Sequence, residues 1–175
     1  MKAELDFLDL LQRLHSPVMD SLMRFITRLG DAGGVWIALC AVLFAYPKTR
    51  RTSLAVGIAL ILDAFLCNSL LKPFFCRVRP CDVNAVTLLI PRPKDYSFPS
   101  GHTAASFAVV SALFFAGEQK LCLSSLVLAG LIAFSRMYLY VHYPTDILGG
   151  IVVGWLSGAV GSWMAEGILK LTTRS

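Results

Sequence analysis

Three short clusters in the sequence carry side chains that could bind an anion. They are Lys72 with Arg79, Ser100 with Gly101 and His102, and Arg136 with His142 and Asp146. The planar guanidinium group of arginine suits bidentate recognition of phosphate oxygens. A helix that begins at Ser100 would point its free N–H groups and positive dipole end at the same ligand, and Gly101 would let the backbone approach it closely. The clusters therefore predict a cradle for a phosphate group.

Two histidines are the candidates for chemistry on that phosphate. A pair of imidazoles can divide the work, with one attacking phosphorus and the other protonating the departing oxygen. Pro144 suits the first position of a helix, which places His142 in the preceding turn and Asp146 in the first helical turn. From there the carboxylate can hold one ring nitrogen of His142 and stabilise the imidazolium. The sequence offers no cluster of carboxylates near these residues, so we expect phosphoryl transfer without a metal ion or other cofactor.

The composition indicates that membrane helices position these residues. The 175 residues are 56% hydrophobic and only 15% charged, with a mean hydropathy of +0.67. Soluble domains carry about 25% charged residues, and disordered chains are more polar still. We therefore predict an all-α integral membrane protein, a six-helix bundle that forms one domain over residues 1–175. The net charge of +5 is interpreted as a topology signal or as part of a site within the membrane, and not as nucleic-acid binding.

Hydropathy divides the chain into a surface helix, six spans and a loop. Residues 1–16 are predicted to form an amphipathic helix that lies at the membrane interface. The predicted spans are 17–30, 31–46, 53–72, 100–117, 121–141 and 144–170. The first of these carries three charged residues, so whether it fully crosses the membrane is left open. Residues 73–99 contain five prolines and are predicted to form an extracytoplasmic loop.

The distribution of lysine and arginine predicts the orientation. The short connection YPKTRRTS carries Lys48, Arg50 and Arg51, which the positive-inside rule assigns to the cytoplasm. Six spans then place both termini in the cytoplasm and all three clusters at the extracytoplasmic face of a plasma (inner) membrane. The basic residues of the outer loop, Arg77, Arg92 and Lys94, are interpreted as solvated charges, with lipid head groups or a second phosphate as the alternative.

Two ridges of small residues predict which helices pack together. They are Ala104, Ala108, Ala112 and Ala116 on the fourth span, and Gly150, Gly154, Gly158 and Ser162 on the sixth. Such ridges let helix backbones approach closely in lipid, so we expect these two helices to pack and to bring His102 near His142 and Asp146. The alternative for the glycine ridge is a homodimer seam, which leaves both a monomer and a homodimer open.

Two further polar features have structural interpretations. Asp63 precedes Lys72 by nine residues, about 180° around an ideal helix, so it is expected to point away from Lys72 and to make a structural hydrogen bond. Cys76 and Cys81 flank a basic stretch, and two free thiols are favoured over a disulfide.

The three clusters read K-x6-R-P, P-S-G-H and S-R-x5-H-x3-D, and together they strongly resemble the type-2 phosphatidic acid phosphatase superfamily. The resemblance implies that phosphate oxygens are bound by Lys72, Arg79, Ser100, Gly101 and Arg136. It implies that His142 is the nucleophile that forms a phosphohistidine, that Asp146 orients it, and that His102 is the general acid.

The expected function is metal-independent hydrolysis of a phosphomonoester or diphosphate of a membrane lipid. The candidate substrates are undecaprenyl diphosphate, phosphatidylglycerophosphate and phosphatidate, and the motifs do not choose among them because they recognise the phosphate and not the tail. The alternatives are a catalytically silent protein that binds lipid phosphates and a transporter. Polar residues clustered at one face disfavour a transporter, and the two histidines disfavour a silent binder. The expected partners are the lipid phosphate and the bilayer, with no nucleic acid.

Overall fold

The computed structural model describes residues 2–172, and this part of the chain is helical without β-strands, as predicted. The helices are α1 (Lys2–Gln12), α2 (Pro17–Leu29), α3 (Gly34–Ala45), α4 (Arg50–Ala64), α5 (Lys72–Phe75), α6 (Pro80–Val83), α7 (Gly101–Phe115), α8 (Gln119–Tyr138) and α9 (Pro144–Thr172). Short 3-10 turns at Asp31–Gly33 and Pro47–Thr49 precede α3 and α4, and a π-helical segment, Phe65–Leu71, joins α4 to α5.

The helices have the length and composition of a multi-pass membrane protein. Three helical stretches are long and apolar enough to cross a bilayer, namely Pro47–Val83, Gln119–Tyr138 and Pro144–Leu171. The stretches Pro17–Leu29 and Asp31–Ala45 meet that criterion only as a pair bent by 47°. Helix α7 is apolar but short, at about 22 Å for its length against a hydrocarbon core of roughly 30 Å. The predicted count of six spans is not confirmed.

Contacts between distant helices define two ends of the bundle. At one end α1 lies against the connection between α8 and α9, where Gln12 Nε2 donates to the Tyr138 carbonyl at 3.1 Å. At the other end Arg51, at the start of α4, donates to Glu166 near the end of α9 at 3.0 Å. Residues near the two ends of the described chain therefore lie at opposite ends of the bundle. This differs from the expectation that both termini lie on one side, because α2 and α3 follow one bent path instead of reversing direction.

Helices α7 and α9 pack along the two predicted ridges. A Cβ added to Gly154 would lie 2.2 Å from the Ala104 carbonyl oxygen, and one added to Gly158 would lie 2.4 Å from the Ala108 carbonyl oxygen. Only glycine permits so close an approach of the two backbones. The expectation for the ridges is confirmed, and the glycine ridge faces α7 of the same chain, so it is not a homodimer seam.

The π-helical segment changes which residues share a face with Lys72. Its hydrogen bonds run from i to i+5, so the rotation accumulated between Asp63 and Lys72 differs from that of an ideal α-helix. Asp63, Asn68 and Lys72 consequently line the same cavity, and the expectation that Asp63 points away from Lys72 is wrong. Asp63 is buried, and its Oδ1 has no hydrogen-bond partner among the described residues, in contrast to the predicted structural hydrogen bond. Cys76 and Cys81 are free thiols, as expected.

Candidate active site

A cavity of about 1080 Å³ lies where α4, α7 and α8 approach the end that carries α1. Six of the eight residues predicted for the site line it: Lys72, Arg79, Gly101, His102, Arg136 and His142. The other two, Ser100 and Asp146, are fully buried directly behind the lining. The Ser100 backbone N–H donates to the Asp146 carbonyl at 3.1 Å, which joins the start of α7 to the start of α9. The close packing of these two helices thus assembles the site.

His142 lies in the turn between α8 and α9, and its two ring nitrogens face different partners. Nη1 of Arg79 is 3.1 Å from Nε2 of His142, and Oδ2 of Asp146 is 3.4 Å from Nδ1. Arginine can only donate, so Nε2 carries the lone pair and Nδ1 carries the proton. Burial, reinforced by the positive charges of Arg79 and Arg136, holds the pKa of His142 well below its usual value of 6.5. The imidazole is therefore neutral, with its lone pair at Nε2.

Asp146 is held by partners that the sequence motifs did not reveal. Its Oδ1 accepts from Arg77 Nη1 at 2.6 Å, and its Oδ2 accepts from Ser97 Oγ at 2.5 Å and from the Tyr143 N–H at 2.9 Å. The interpretation of Arg77 as a solvated loop charge is wrong, because its side chain is 24% exposed and is paired with this buried carboxylate. No spacing rule in the sequence links residues 69 positions apart.

Helix α1 reaches the site through Glu4. The carboxylate of Glu4 accepts from Arg77 Nη2 at 2.8 Å and from the Thr145 hydroxyl at 2.6 Å. Burial alone would raise the pKa of Glu4, but the Thr145 hydrogen bonds and the Arg77 charge hold it below its usual value. Glu4 is therefore ionised near neutral pH, and the chain of contacts from Glu4 through Arg77 to Asp146 ties α1 to the site.

His102, in the first turn of α7, has a carboxylate partner that was also missed. Its Nε2 lies 3.0 Å from Oδ1 of Asp31, in the 3-10 turn that precedes α3. The ring packs against Gly30, where an added Cβ would lie 2.8 Å from the His102 Cδ2. The bend between α2 and α3 thus brings a carboxylate to the second histidine of the site.

The three predicted cations differ in their partners. Arg136 is 4% exposed, its Nη1 donates to Thr27 Oγ1 at 2.5 Å, and its buried Nε has no partner among the described residues. This buried donor is therefore available to an acceptor from a bound ligand. Lys72 and Arg79 both contact the carboxylate of Asp95, which also lines the cavity and which the sequence did not single out.

The start of α7 is arranged as an N-terminal cap, as predicted. The Ser100 side chain accepts from the Thr103 N–H, and Thr103 Oγ1 donates to Ser100 Oγ at 3.0 Å. A Cβ on Gly101 would lie 3.6 Å from Lys72 Nζ, so the first turn of the helix adjoins the cations. Ser100 itself lies behind the cavity lining, and its predicted contact with phosphate stays a prediction. Residues 2–172 bring together no group of three or more His, Cys, Asp or Glu side chains that could hold a metal ion.

The apolar part of the same cavity runs away from the cations between α3 and α4. It is lined by side chains that include Ile37, Phe44, Leu60 and Ile61. A cavity with cations at one end and apolar side chains at the other fits an amphiphile with an anionic head. Together with the two histidines, it defines a membrane enzyme that acts on a phosphate group.

Comparisons with known proteins identify the family. The family model described as the PAP2 superfamily matches residues 52–168, and the chain belongs to this superfamily. It is 34% identical over 144 residues to the undecaprenyl-diphosphatase BcrC of Bacillus subtilis, covering 82% of this chain and 74% of that protein. It is 30% identical over 175 residues to the lipid A 4'-phosphatase of Bacteroides thetaiotaomicron, covering 92% of this chain and 75% of the relative.

Solved structures agree with this assignment. The chain matches LpxE of Aquifex aeolicus with a TM-score of 0.77 and 29% identity, covering 90% of this chain and 93% of that one. It matches a transmembrane PAP2-type phosphatidylglycerolphosphate phosphatase of Bacillus subtilis with a TM-score of 0.76 and 28% identity, covering 95% and 86%. The protein is thus a membrane phosphatase of the PAP2 superfamily.

Proposed function

We propose that this chain is a lipid phosphatase that releases phosphate from a membrane lipid through a phosphohistidine at His142. The observation that carries the proposal is the neutral His142 imidazole, whose Nε2 lone pair lies beside Arg79 in a cavity with an apolar extension. A neutral imidazole next to a phosphate-binding cation is poised to attack phosphorus.

Phosphate binding is assigned to the cations and to the start of α7. Lys72, Arg79 and the unpartnered Nε of Arg136 supply charged donors, and the Gly101 N–H supplies a backbone donor at a helix N-terminus. Ser100 is proposed to support this group by capping α7. These donors would also stabilise the negative charge on the transferring phosphoryl group.

The reaction is proposed to proceed in two steps without a metal cofactor. Nε2 of His142 attacks phosphorus, the bond between phosphorus and the lipid oxygen breaks, and His102 donates a proton to that oxygen. In the second step water attacks the phosphohistidine, His102 accepts a proton from the water, and phosphate leaves with His142 restored. Asp146 accepts the Nδ1 hydrogen bond throughout and stabilises the positive charge on the ring.

The substrate is proposed to be an amphiphile whose tail lies along the apolar walls between α3 and α4. Relatives are named for undecaprenyl diphosphate, lipid A 4'-phosphate and phosphatidylglycerolphosphate. We propose the same class for this chain, a lipid phosphomonoester or diphosphate, with phosphatidate as a further candidate. The cations bind the phosphate common to all of these lipids, so specificity resides in the apolar walls.

The membrane topology is proposed to comprise five crossings instead of six. The segments that run between the two ends are the bent pair of α2 and α3, α4 with its π-helical segment, α7, α8 and α9. Lys48, Arg50 and Arg51 lie at the end away from His102, His142 and the phosphate-binding cations, which assigns that end to the cytoplasm and the two histidines to the outer face of the plasma membrane. Helix α1 then lies at the outer interface. The glycine ridge of α9 packs against α7 of the same chain, which supports a single-domain monomer.

Membrane-impermeant maleimide labelling tests this topology. Cys76 is exposed at the cavity end, so intact cells should label it. A Lys2→Cys variant in a cysteine-free background should be labelled as well. Labelling of Lys2→Cys only after the cells are permeabilised would support six crossings and contradict the proposal.

Phosphate release from purified lipid phosphates tests the function. The panel contains the candidate diphosphate and monoesters in detergent with EDTA, and compares wild type with His142→Ala and with His15→Ala as a matched control. His15 stacks on Tyr138 outside the cavity. Release that persists in EDTA and in His15→Ala but vanishes in His142→Ala supports the proposal. No release from any lipid would return the silent-binder and transporter alternatives to consideration.

A further inference from the structure

The carboxylate of Asp95 bridges two of the cations assigned to phosphate binding. Its Oδ1 accepts from Arg79 Nη2 at 2.7 Å, and its Oδ2 accepts from Lys72 Nζ. Lys72 and Arg79 are buried, whereas the Asp95 side chain is 51% exposed and lies in the non-helical connection before α7. Burial would raise the pKa of Asp95, but the charges of Lys72 and Arg79 hold it below its usual value. Asp95 is therefore ionised and forms ion pairs with two buried cations.

The position of Asp95 overlaps the position proposed for the phosphate. The Arg79 guanidinium contacts Nε2 of His142 through Nη1 and Asp95 through Nη2. A phosphate placed for attack by His142 must accept from this same guanidinium and from Lys72. Carboxylates and phosphates use the same bidentate geometry on arginine, so the two groups compete for the same donors.

The backbone around Asp95 allows its side chain to leave while the loop stays attached. Two residues further on, Ser97 donates to Asp146, and the Ser97 N–H donates to the Arg77 carbonyl at 2.8 Å. The Asp95 carbonyl accepts from Arg79 Nε at 2.9 Å, independently of the carboxylate. Rotation of the half-exposed side chain toward solvent therefore frees the donors of Lys72 and Arg79 without loss of these anchors.

We propose that Asp95 is an internal competitor for the phosphate subsite. The Asp95 carboxylate leaves Lys72 and Arg79 when the lipid phosphate binds. It pairs with them again after hydrolysis, which speeds the departure of inorganic phosphate. The inference rests on the proposed function, because it assumes that Lys72 and Arg79 bind the substrate phosphate. Its consequence is that the enzyme binds phosphate more weakly than its bare cations would, and releases product faster.

Titration calorimetry with inorganic phosphate tests the competition directly. Purified wild type, Asp95→Asn and Asp82→Asn are compared in the same detergent. Asp82 is the matched control, because it is a loop carboxylate paired with Arg92 outside the cavity. Loss of a charge-assisted hydrogen-bonding competitor should tighten phosphate binding by roughly tenfold or more in Asp95→Asn and leave Asp82→Asn unchanged. Unchanged or weaker binding in Asp95→Asn would overturn the inference and assign Asp95 a positioning role.

A second measurement uses wild type alone, so its result does not depend on whether a variant folds. Inorganic phosphate should speed the carbodiimide-driven coupling of an amine to the Asp95 carboxylate, because the displaced carboxylate is no longer paired with Lys72 and Arg79. The Asp82 carboxylate of the same sample is the internal reference, and unchanged or slower coupling at Asp95 relative to Asp82 would overturn the inference. Lipid phosphate hydrolysis by the same wild-type sample separates the two claims. Hydrolysis without phosphate-dependent coupling refutes the competitor alone, whereas phosphate-dependent coupling without hydrolysis refutes the lipid phosphatase alone.

Discussion

Substitution of Arg77 by alanine tests whether the site depends on the connection between α1 and Asp146. Arg77 contacts Asp146, Thr145 and Glu4, and its guanidinium lies 4.1 Å from the centre of the Tyr143 ring. It does not line the cavity. Its removal should therefore act on the orientation of Asp146 and, through it, on His142, and should leave phosphate binding largely intact.

The magnitude follows from the burial of the pair. Asp146 is fully buried, and removal of one partner of a buried ion pair costs about 3–5 kcal/mol. Ser97 and the Tyr143 N–H still satisfy Oδ2, and Arg77 is a quarter exposed, so we expect about 2 kcal/mol for Arg77→Ala. For a chain of this size that is a fall of about 4–8 °C in the unfolding midpoint. Misplacement of the nucleophile should lower kcat by up to roughly 100-fold.

The assay compares Arg77→Ala with Arg92→Ala in one detergent. Arg92 is also a loop arginine in an ion pair, but that pair is exposed and should contribute less than about 1 kcal/mol. We expect Arg77→Ala to lower the midpoint and kcat while KM changes little, and Arg92→Ala to resemble wild type. Similar behaviour of the two variants, or a higher KM in Arg77→Ala without a change in kcat, would contradict the role of Arg77 in holding Asp146.

Three further predictions address packing, proton transfer and pH. Gly154→Leu places a side chain against the α7 backbone, so its unfolding midpoint should fall by several degrees, whereas Gly167→Leu, with open space at its Cβ, should melt like wild type. Asp31→Asn removes the anion beside His102, so kcat for substrates with poor leaving groups should fall roughly tenfold or more, with little change for an activated aryl phosphate; equal losses for both would contradict an acid role. Because the pKa of His142 is lowered, the acidic limb of the profile of kcat/KM against pH should lie below pH 6.5. Lys72→Ala removes a positive charge that lowers this pKa, so the limb should move to higher pH, and a limb that stays in place or moves lower would refute the assignment.

The sequence predicted the parts of the site that obey local spacing rules. Helix caps and small-residue ridges depend on residues that are only three or four positions apart in the sequence. Ser100 as the cap of α7 and Gly154 as a contact with α7 could therefore be predicted without coordinates. The motifs also identified Lys72, Arg79 and His142, and the structure places all three on one cavity.

Contacts between distant segments could not be predicted in the same way. Glu4, Asp31 and Asp95 lie outside the motifs, and Arg77 lies inside K-x6-R-P at a position that the motif leaves open. Their charges alone indicated solvation as readily as pairing with the site. The predicted direction of Asp63 relative to Lys72 was wrong because a π-helical segment between them changes the rotation per residue of an ideal α-helix.

The bend between α2 and α3 was not predicted, because it depends on backbone geometry and not on hydropathy. Hydropathy does not distinguish two short spans from one bent span when the break between them is short. Here the turn at Asp31–Gly33 includes Ala32 and Gly33 at positive φ values of 50° and 71°, and the helices that flank it are bent by 47°. The bend carries Asp31 to His102 and leaves α1 at the cavity end.

The most direct test of the proposed reaction is to trap the phosphohistidine. A lipid substrate labelled with ³²P in its terminal phosphate is mixed in EDTA with excess enzyme and quenched in alkali, which preserves phosphoramidates. If His142 is the nucleophile, the protein-bound label should be stable to alkali, released by acid and located on His142, and it should be retained in His15→Ala and lost in His142→Ala. Phosphate release by His142→Ala at the wild-type rate, or label on another residue, would contradict a phosphohistidine at His142.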